Sequence, residues 1–234
     1  MKRICFALFI SLFINCCFAQ DPEVETERKT PNDFYREKYH VLKSNPTVKQ
    51  GLYQALYRSN IALASGNFTN GKKTGVWHYY DPTGLLLENY DYDKKIFLYE
   101  APEDTLSDFR YYLDIDRKLT DSDKFVKPLK IGGRYFGYIP YLTAFAFPYD
   151  TAEVNTDSFN VEVQLLISPL GRLADYRVRV SSTLYKYDQT TTISLELFSE
   201  DDKQFTPAIL NGQPVLCRIL IRCYMTETGY IGFY

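Results

Sequence analysis

The sequence predicts an α+β chain dominated by antiparallel strands. Two observations carry that expectation. Tyrosine and phenylalanine are abundant, 21 and 16 of 234 residues, and they fall in runs that alternate with polar residues, the side-chain period of a strand. Turn residues punctuate those runs, as in Asn70-Gly71, Asp81-Pro-Thr-Gly84 and Asn211-Gly212, which suit tight hairpin connections.

Along the chain, residues 1–19 read as an export signal. Lys2 and Arg3 precede an apolar run from Ile4 to Ile14, and Ala19 stands before Gln20. A basic end, a short apolar core and a small residue at the cut are what a secretory leader needs. A permanent span needs about 20 apolar residues; this run is shorter and is interrupted by Asn15. Cys16 and Cys17 leave lipid anchoring as the lesser alternative, since Ile14 and Asn15 are not the small residues that lipoprotein processing takes.

The formal net charge is −2, and the leader removes basic residues only. A mildly acidic chain without a long basic run is not built to grip nucleic acid through its phosphates. Lys72-Lys73, the strongest local positive feature, reads as turn solvation. Cys5, Cys16 and Cys17 leave with the leader, so Cys217 and Cys223 remain. In a strand they lie about 20 Å apart at roughly 3.3 Å per residue. A disulfide needs Cα atoms within about 7 Å. They are expected to be buried apolar residues, and the spacing does not suit zinc.

Residues 20–50 form a charged segment, predicted to enter a short helix near Phe34–Leu42. From Gly51 to Lys95 the chain repeats itself at an offset of 24 residues. Gly51 aligns with Gly75, Tyr53 with Trp77, Asn60 with Gly84, Leu63 with Leu87 and Phe68 with Tyr92. A fixed period of this size means stacked supersecondary units. Each unit reads as strand, turn, strand: Val76–Tyr80, a turn at Asp81–Gly84, then Leu85–Tyr92. Residues 97–129 have no clear period and read as a connector with room for a short helix.

The rest of the chain has a different texture. Phe159–Ser168 and Leu173–Ser181 alternate around a turn at Pro169-Leu-Gly171 and make a hairpin. In Val215–Tyr224, Val215, Cys217, Ile219, Ile221 and Cys223 take one face. Leu216, Arg218, Leu220, Arg222 and Tyr224 take the other.

The run Gly66–Gly84 resembles the bacterial variant of the MORN repeat. The resemblance implies β-hairpin ladders used for protein or lipid contact. Residues 130–226 resemble the C-terminal domain of the TonB energy-transducer family. That match rests on Ile131-Gly-Gly133, an amphipathic stretch Arg134–Phe145, the hairpin Val161–Val180, and Phe205-Thr-Pro-Ala-Ile-Leu-Asn-Gly-Gln-Pro-Val215. It implies two helices, at Arg134–Phe145 and around Gln189–Phe198. By its own alternation, Thr190-Thr-Thr-Ile-Ser-Leu-Glu-Leu197 reads instead as a strand.

No nucleophile elbow, phosphate loop, metal-spaced ligand set or dinucleotide fingerprint appears. The two histidines, His40 and His78, have no evident catalytic neighbours. Asp201-Asp202 reads as a solvated turn. The expectation is a protein that is not an enzyme and uses no metal or cofactor. The two resemblances imply an interaction module of a Gram-negative-type envelope, periplasmic or outer-membrane-associated. Its partner would be an envelope or outer-membrane protein, held by strand addition. Arg218, Leu220, Arg222 and Tyr224 on a Val215–Tyr224 edge are the candidate contacts, with Trp77 and Tyr79 of the repeat. Two alternatives stay open: a component or regulator of TonB-dependent transport, and recognition of cell wall or glycan by the aromatic repeat face.

Overall fold

Period-two alternation of side chains organises the chain into two large antiparallel sheets. The computed structural model describes residues 23–29, 35–58, 60–103, 107–115, 117, 119–149, 151 and 154–233. The expected export signal and Phe34 lie outside them. Among the described residues no helix is long and apolar enough to cross a membrane.

The first sheet is a seven-stranded meander in chain order: β1 (Glu23–Lys29), β2 (Arg36–Leu42), β3 (Lys49–Tyr57), β4 (Ile61–Thr69), β5 (Lys72–Tyr80), β6 (Leu86–Asp91) and β7 (Ile96–Glu100). The 24-residue repeat becomes the pair of hairpins β3–β4 and β5–β6. The predicted turns stand where expected, with Asn70-Gly71 joining β4 to β5 and Asp81–Gly84 joining β5 to β6. The helix expected near Phe34–Leu42 is instead β2. Val41 is buried there and Tyr39 packs on Tyr53 of the next strand, so pairing and burial override the helix-favouring Arg36-Glu-Lys start.

The expected connector carries three strands of its own: β7, β8 (Phe109–Leu113) and β9 (Phe125–Val126). After it comes a 3₁₀ turn at Phe136–Tyr138 and one short helix, α1 (Ile139–Thr143). The longer helix expected over Arg134–Phe145 does not form. Pro140 is tolerated only in a first turn, and Gly132 and Gly137 come too close to be wound into a regular helix: a Cβ on Gly132 would lie 2.7 Å from the Gly137 Cα.

The second large sheet holds β10 (Asn160–Ile167), β11 (Leu173–Ser182), β12 (Tyr187–Thr192), β15 (Cys217–Met225) and β16 (Ile231–Phe233), together with β8. Its order is β12-β11-β10-β15, with β8 and β16 end to end along the far side of β15. A small third sheet joins β13 (Ala208–Leu210), β14 (Gln213–Val215) and β9. The helix implied around Gln189–Phe198 is absent. Its first part is β12, and a 3₁₀ turn capped by Ser194 covers Leu195–Leu197. The β-branched residues Thr190–Thr192 are in the strand, with their side chains exposed.

The core of the second sheet joins aliphatic strand residues to rings, Tyr176 and Phe159 among them. Val163, Leu165, Ile167, Val178, Ile219 and Ile221 are fully buried. Cys217 and Cys223 are free and buried on the same face of β15, and burial pushes both thiols up to about 12. The segment 131–147 serves both sheets. Ile139 and Phe136 pack into the aromatic face of the meander, while Tyr138, Tyr141, Leu142 and Phe145 pack onto the second sheet.

A candidate binding cavity between the sheets

The inner face of the meander is built from rings. Trp77 and Tyr79 on β5 are fully buried, and Trp77 meets Tyr53, Phe68 and Tyr92 with centroids 5.3, 5.2 and 5.7 Å away. The indole lies flat across β4 because Gly66 stands beneath it; a Cβ there would come within 2.3 Å of the ring. The indole N–H donates to the Asn67 carbonyl at 3.2 Å. Trp77 and Tyr79 are therefore internal packing residues, and the meander offers no open aromatic platform at these positions.

Rings do not fill the space completely. A cavity of about 290 Å³ remains between this face, the Ile131–Gly137 turn and the loop Asp201–Gln204. Three lysines reach it. The Lys49 ammonium lies 4.7 and 5.3 Å from the ring centroids of Tyr53 and Phe68. The Lys73 ammonium lies 5.2 Å from both Trp77 and Tyr92. Lys130 sits 5.1 Å over Phe205 and donates to the carbonyls of Asp201 and Gln204 at 2.8 and 3.1 Å.

The first two lysines are equivalent positions of the repeat. Lys73 follows Lys49 by 24 residues, and each covers the ring pair that the same offset relates, Tyr53 with Phe68 and Trp77 with Tyr92. Reading Lys73 as turn solvation was wrong. Lys72 is exposed, but Lys73 is on the inner side of β5, in register with Trp77 and Tyr79. Parity and the repeat offset together would have found it.

The charges are unevenly matched. The Glu37 carboxylate accepts from Lys49 at 3.2 Å and from the Tyr53 hydroxyl at 2.8 Å. Asp202 accepts from the Ser199 N–H and hydroxyl of its own turn. Asp201 is 4.0 Å from Lys73 with its side chain 71% exposed, which puts it at the mouth. Burial lowers the Lys73 pKa, opposed by Asp201 and Asp202, while the neighbouring Lys49 adds to the fall. Burial brings Lys130 down to about 8, with Lys73 contributing.

Beside the cavity, Glu88 is 2% exposed. Its two carboxylate oxygens accept from the N–H groups of Gly132 and Gly133 at 2.9 and 3.1 Å. Those glycines have φ of +117° and +70°, a conformation that aims consecutive amides at one anion. Burial raises Glu88 to about 7, against the pull of both amides. Glu88 thereby ties the meander to the turn that floors the cavity.

The other candidate contacts lie on the second sheet. β15 is not an edge, since β10 pairs along one side and β8 and β16 share the other. Strand addition at Val215–Tyr224 has no free backbone to use. Arg218 and Leu220 are half-buried on its outer face, and Arg222 and Tyr224 are exposed. His78 is on the outer face of the meander, its Nδ1 2.7 Å from the Asn89 side-chain oxygen. No group of three or more His, Cys, Asp or Glu among the described residues is placed to hold a metal. Comparison with known family models, with curated proteins and with solved structures finds no match.

Proposed function

We propose that this is a non-catalytic binding protein of the cell envelope whose ligand occupies the lysine-lined cavity. One observation carries the reading: the repeat sets a lysine over a pair of rings twice, and both ammonium groups open into one concave, ring-walled space. A cavity with apolar walls and a few convergent polar groups is the usual form of a small-molecule site. The leader-like sequence of residues 1–19 supports the envelope location, and the MORN-like and TonB-like resemblances favour binding over catalysis.

Trp77 is the only tryptophan and lies on the cavity wall, so its emission is a built-in reporter. Titration with the small-molecule fraction of an envelope extract is expected to change that emission saturably. Native mass spectrometry should then find an adduct. Neither signal, across repeated extracts, would sink the reading.

A second reading keeps protein recognition by strand addition but moves it to β12. Among the described residues that strand pairs only with β11, and Asp188–Thr192 are exposed, so its other side is the edge that β15 lacks. A partner in TonB-dependent transport would dock there. Crosslinking through a photoreactive residue at Thr191, compared with one at Arg222, tests it: recovery of one defined envelope protein from Thr191 alone supports the edge, and equal yields from both positions count against it.

A further inference from the structure

Resting on the cavity reading above, we infer that the ligand is a small organic acid, its acidic group seated among Lys49, Lys73 and Lys130 and its compact apolar body against the rings. The argument is one of missing charge. Burying an ammonium is costly unless an anion or several acceptors answer it. Here three ammonium groups border one space; Glu37 answers Lys49, and the other carboxylates are held in their own turn or stand at the mouth. Glu37 is shared between Lys49 and the Tyr53 hydroxyl. Asp202 is turned to Ser199, and Asp201 comes no closer than 4.0 Å to Lys73.

Lys73 is the least satisfied of the three. Its one hydrogen bond is to the Tyr92 hydroxyl at 3.2 Å, a group already 2.8 Å from the Tyr79 hydroxyl. An ammonium carries three donors, so two of them have no hydrogen-bond partner among the described residues. Burial lowers the pKa of both Lys73 and Lys130 although Asp201 and Asp202 pull the other way, so the carboxylates present do not offset the desolvation of the two cations. An acid placed there would answer both desolvated cations at once, with charge-assisted hydrogen bonds. The volume, about 290 Å³, is at the lower limit of ligand pockets and admits a single-ring acid. A bilayer surface or a folded partner would not fit.

Two sources of such an acid exist in an envelope, acidic sugars and aromatic or aliphatic carboxylates, and the test separates them. Trp77 emission is followed during titration of the whole exported chain with N-acetylmuramic acid against neutral N-acetylglucosamine. A second pair sets 4-hydroxyphenylacetate against its amide. At least one acid is expected to bind at least tenfold tighter than its neutral counterpart, a difference of about 1.4 kcal/mol. Lys73→Met keeps the stem on the rings but removes the charge, and it should erase that preference. Lys72→Met, one residue away on the exposed side, should leave it intact.

Equal binding of acid and neutral partners would overturn the acid inference while leaving a cavity-binding protein. No emission change with any probe up to about 10 mM, a concentration at which even weak sites fill, would also overturn it. The cavity reading falls only if the envelope extract fails as well. A preference that survives in the Lys73→Met variant, with its fold verified by circular dichroism, would move the acid away from Lys73 and overturn the placement.

Discussion

The two large sheets solve the same problem with different side chains. The strands of the second sheet bury mainly short branched residues, Val163, Leu165, Ile167, Val178, Ile219 and Ile221, and rings such as Tyr138, Tyr141, Phe198 and Phe205 from the flanking segments cover them. The meander buries Tyr53, Phe68, Trp77 and Tyr79, large plates that meet at tilted and perpendicular angles. Plates leave gaps between them, and the gaps here are occupied by lysine stems and by the cavity. The same backbone period thus yields a sealed framework in one half and a binding surface in the other. Flat rings also attract ammonium groups, so a wall that packs is at the same time a wall that gathers charge.

The contrast is most severely tested at Trp77. Trp77→Ala should cost about 3–5 kcal/mol of unfolding free energy and Ile219→Ala about 2–5, both read by urea denaturation. Only the first should enlarge the cavity. A Trp77→Ala loss below about 1 kcal/mol would mean that the rings are loosely held and the comparison fails.

Next in size is the contact that joins the meander to the floor of the cavity. Glu88 is raised from its ordinary value to about 7, so its ionised form is the one that folding disfavours. The penalty is therefore present above pH 7 and is lifted as pH falls through 7 toward 4.5, the unfolded value. It is worth about 3 kcal/mol at roughly 1.4 per unit. The groups that face it are the Gly132 and Gly133 amides, Lys130 and Glu100. Relative to Glu88→Gln, the wild type should gain stability steadily from pH 7 to 4.5 and run parallel to it above about pH 8. A difference curve without slope in that window would remove Glu88 as a titrating element.

Smaller again is the effect of closing the space under the indole. Gly66→Ala places a methyl within 2.3 Å of Trp77, and overpacking of this kind costs about 1–3 kcal/mol. Trp77 emission should shift in the folded protein. An unchanged spectrum with unchanged stability would show that β4 yields and the ring does not.

Much of this architecture was legible in the residues. The 24-residue repeat placed β3 through β6, and parity placed the β10–β11 hairpin and β15, whose burial alternates. Parity also favoured a strand over Thr190–Leu197, which holds as far as Thr192 and gives way to a 3₁₀ turn at Leu195–Leu197. What parity could not see was pairing: whether β15 was an edge depended on β8, drawn from a segment without any period, and on β16. β2 was missed because Arg36-Glu-Lys favours a helix in isolation. The cavity was missed for a different reason. Lysine usually meets solvent, yet its stem is apolar and packs on rings, and the offset that relates Gly51 to Gly75 also relates Lys49 to Lys73. Glu88 could not have been found, since its partners are backbone amides 44 and 45 residues away.

The smallest predicted effect isolates the parity argument on a single strand. On β15, Ile221 faces the core, fully buried, and the next residue, Arg222, has a side chain 74% exposed. A carboxylate oxygen of Asp108 is 3.8 Å away, and exposed pairs of that kind contribute about 0–1 kcal/mol. Arg222→Ala should therefore change stability by no more than about 0.5 kcal/mol, while Ile221→Ala, one residue away, should lose about 2–5. The same Arg222 variant should leave Trp77 emission and its response to acids unchanged, because it stands on the second sheet and does not line the cavity. A loss above about 2 kcal/mol at Arg222 would place it among the residues that hold the sheet together, and the division between a sealed half and a binding half would have to be redrawn at β15.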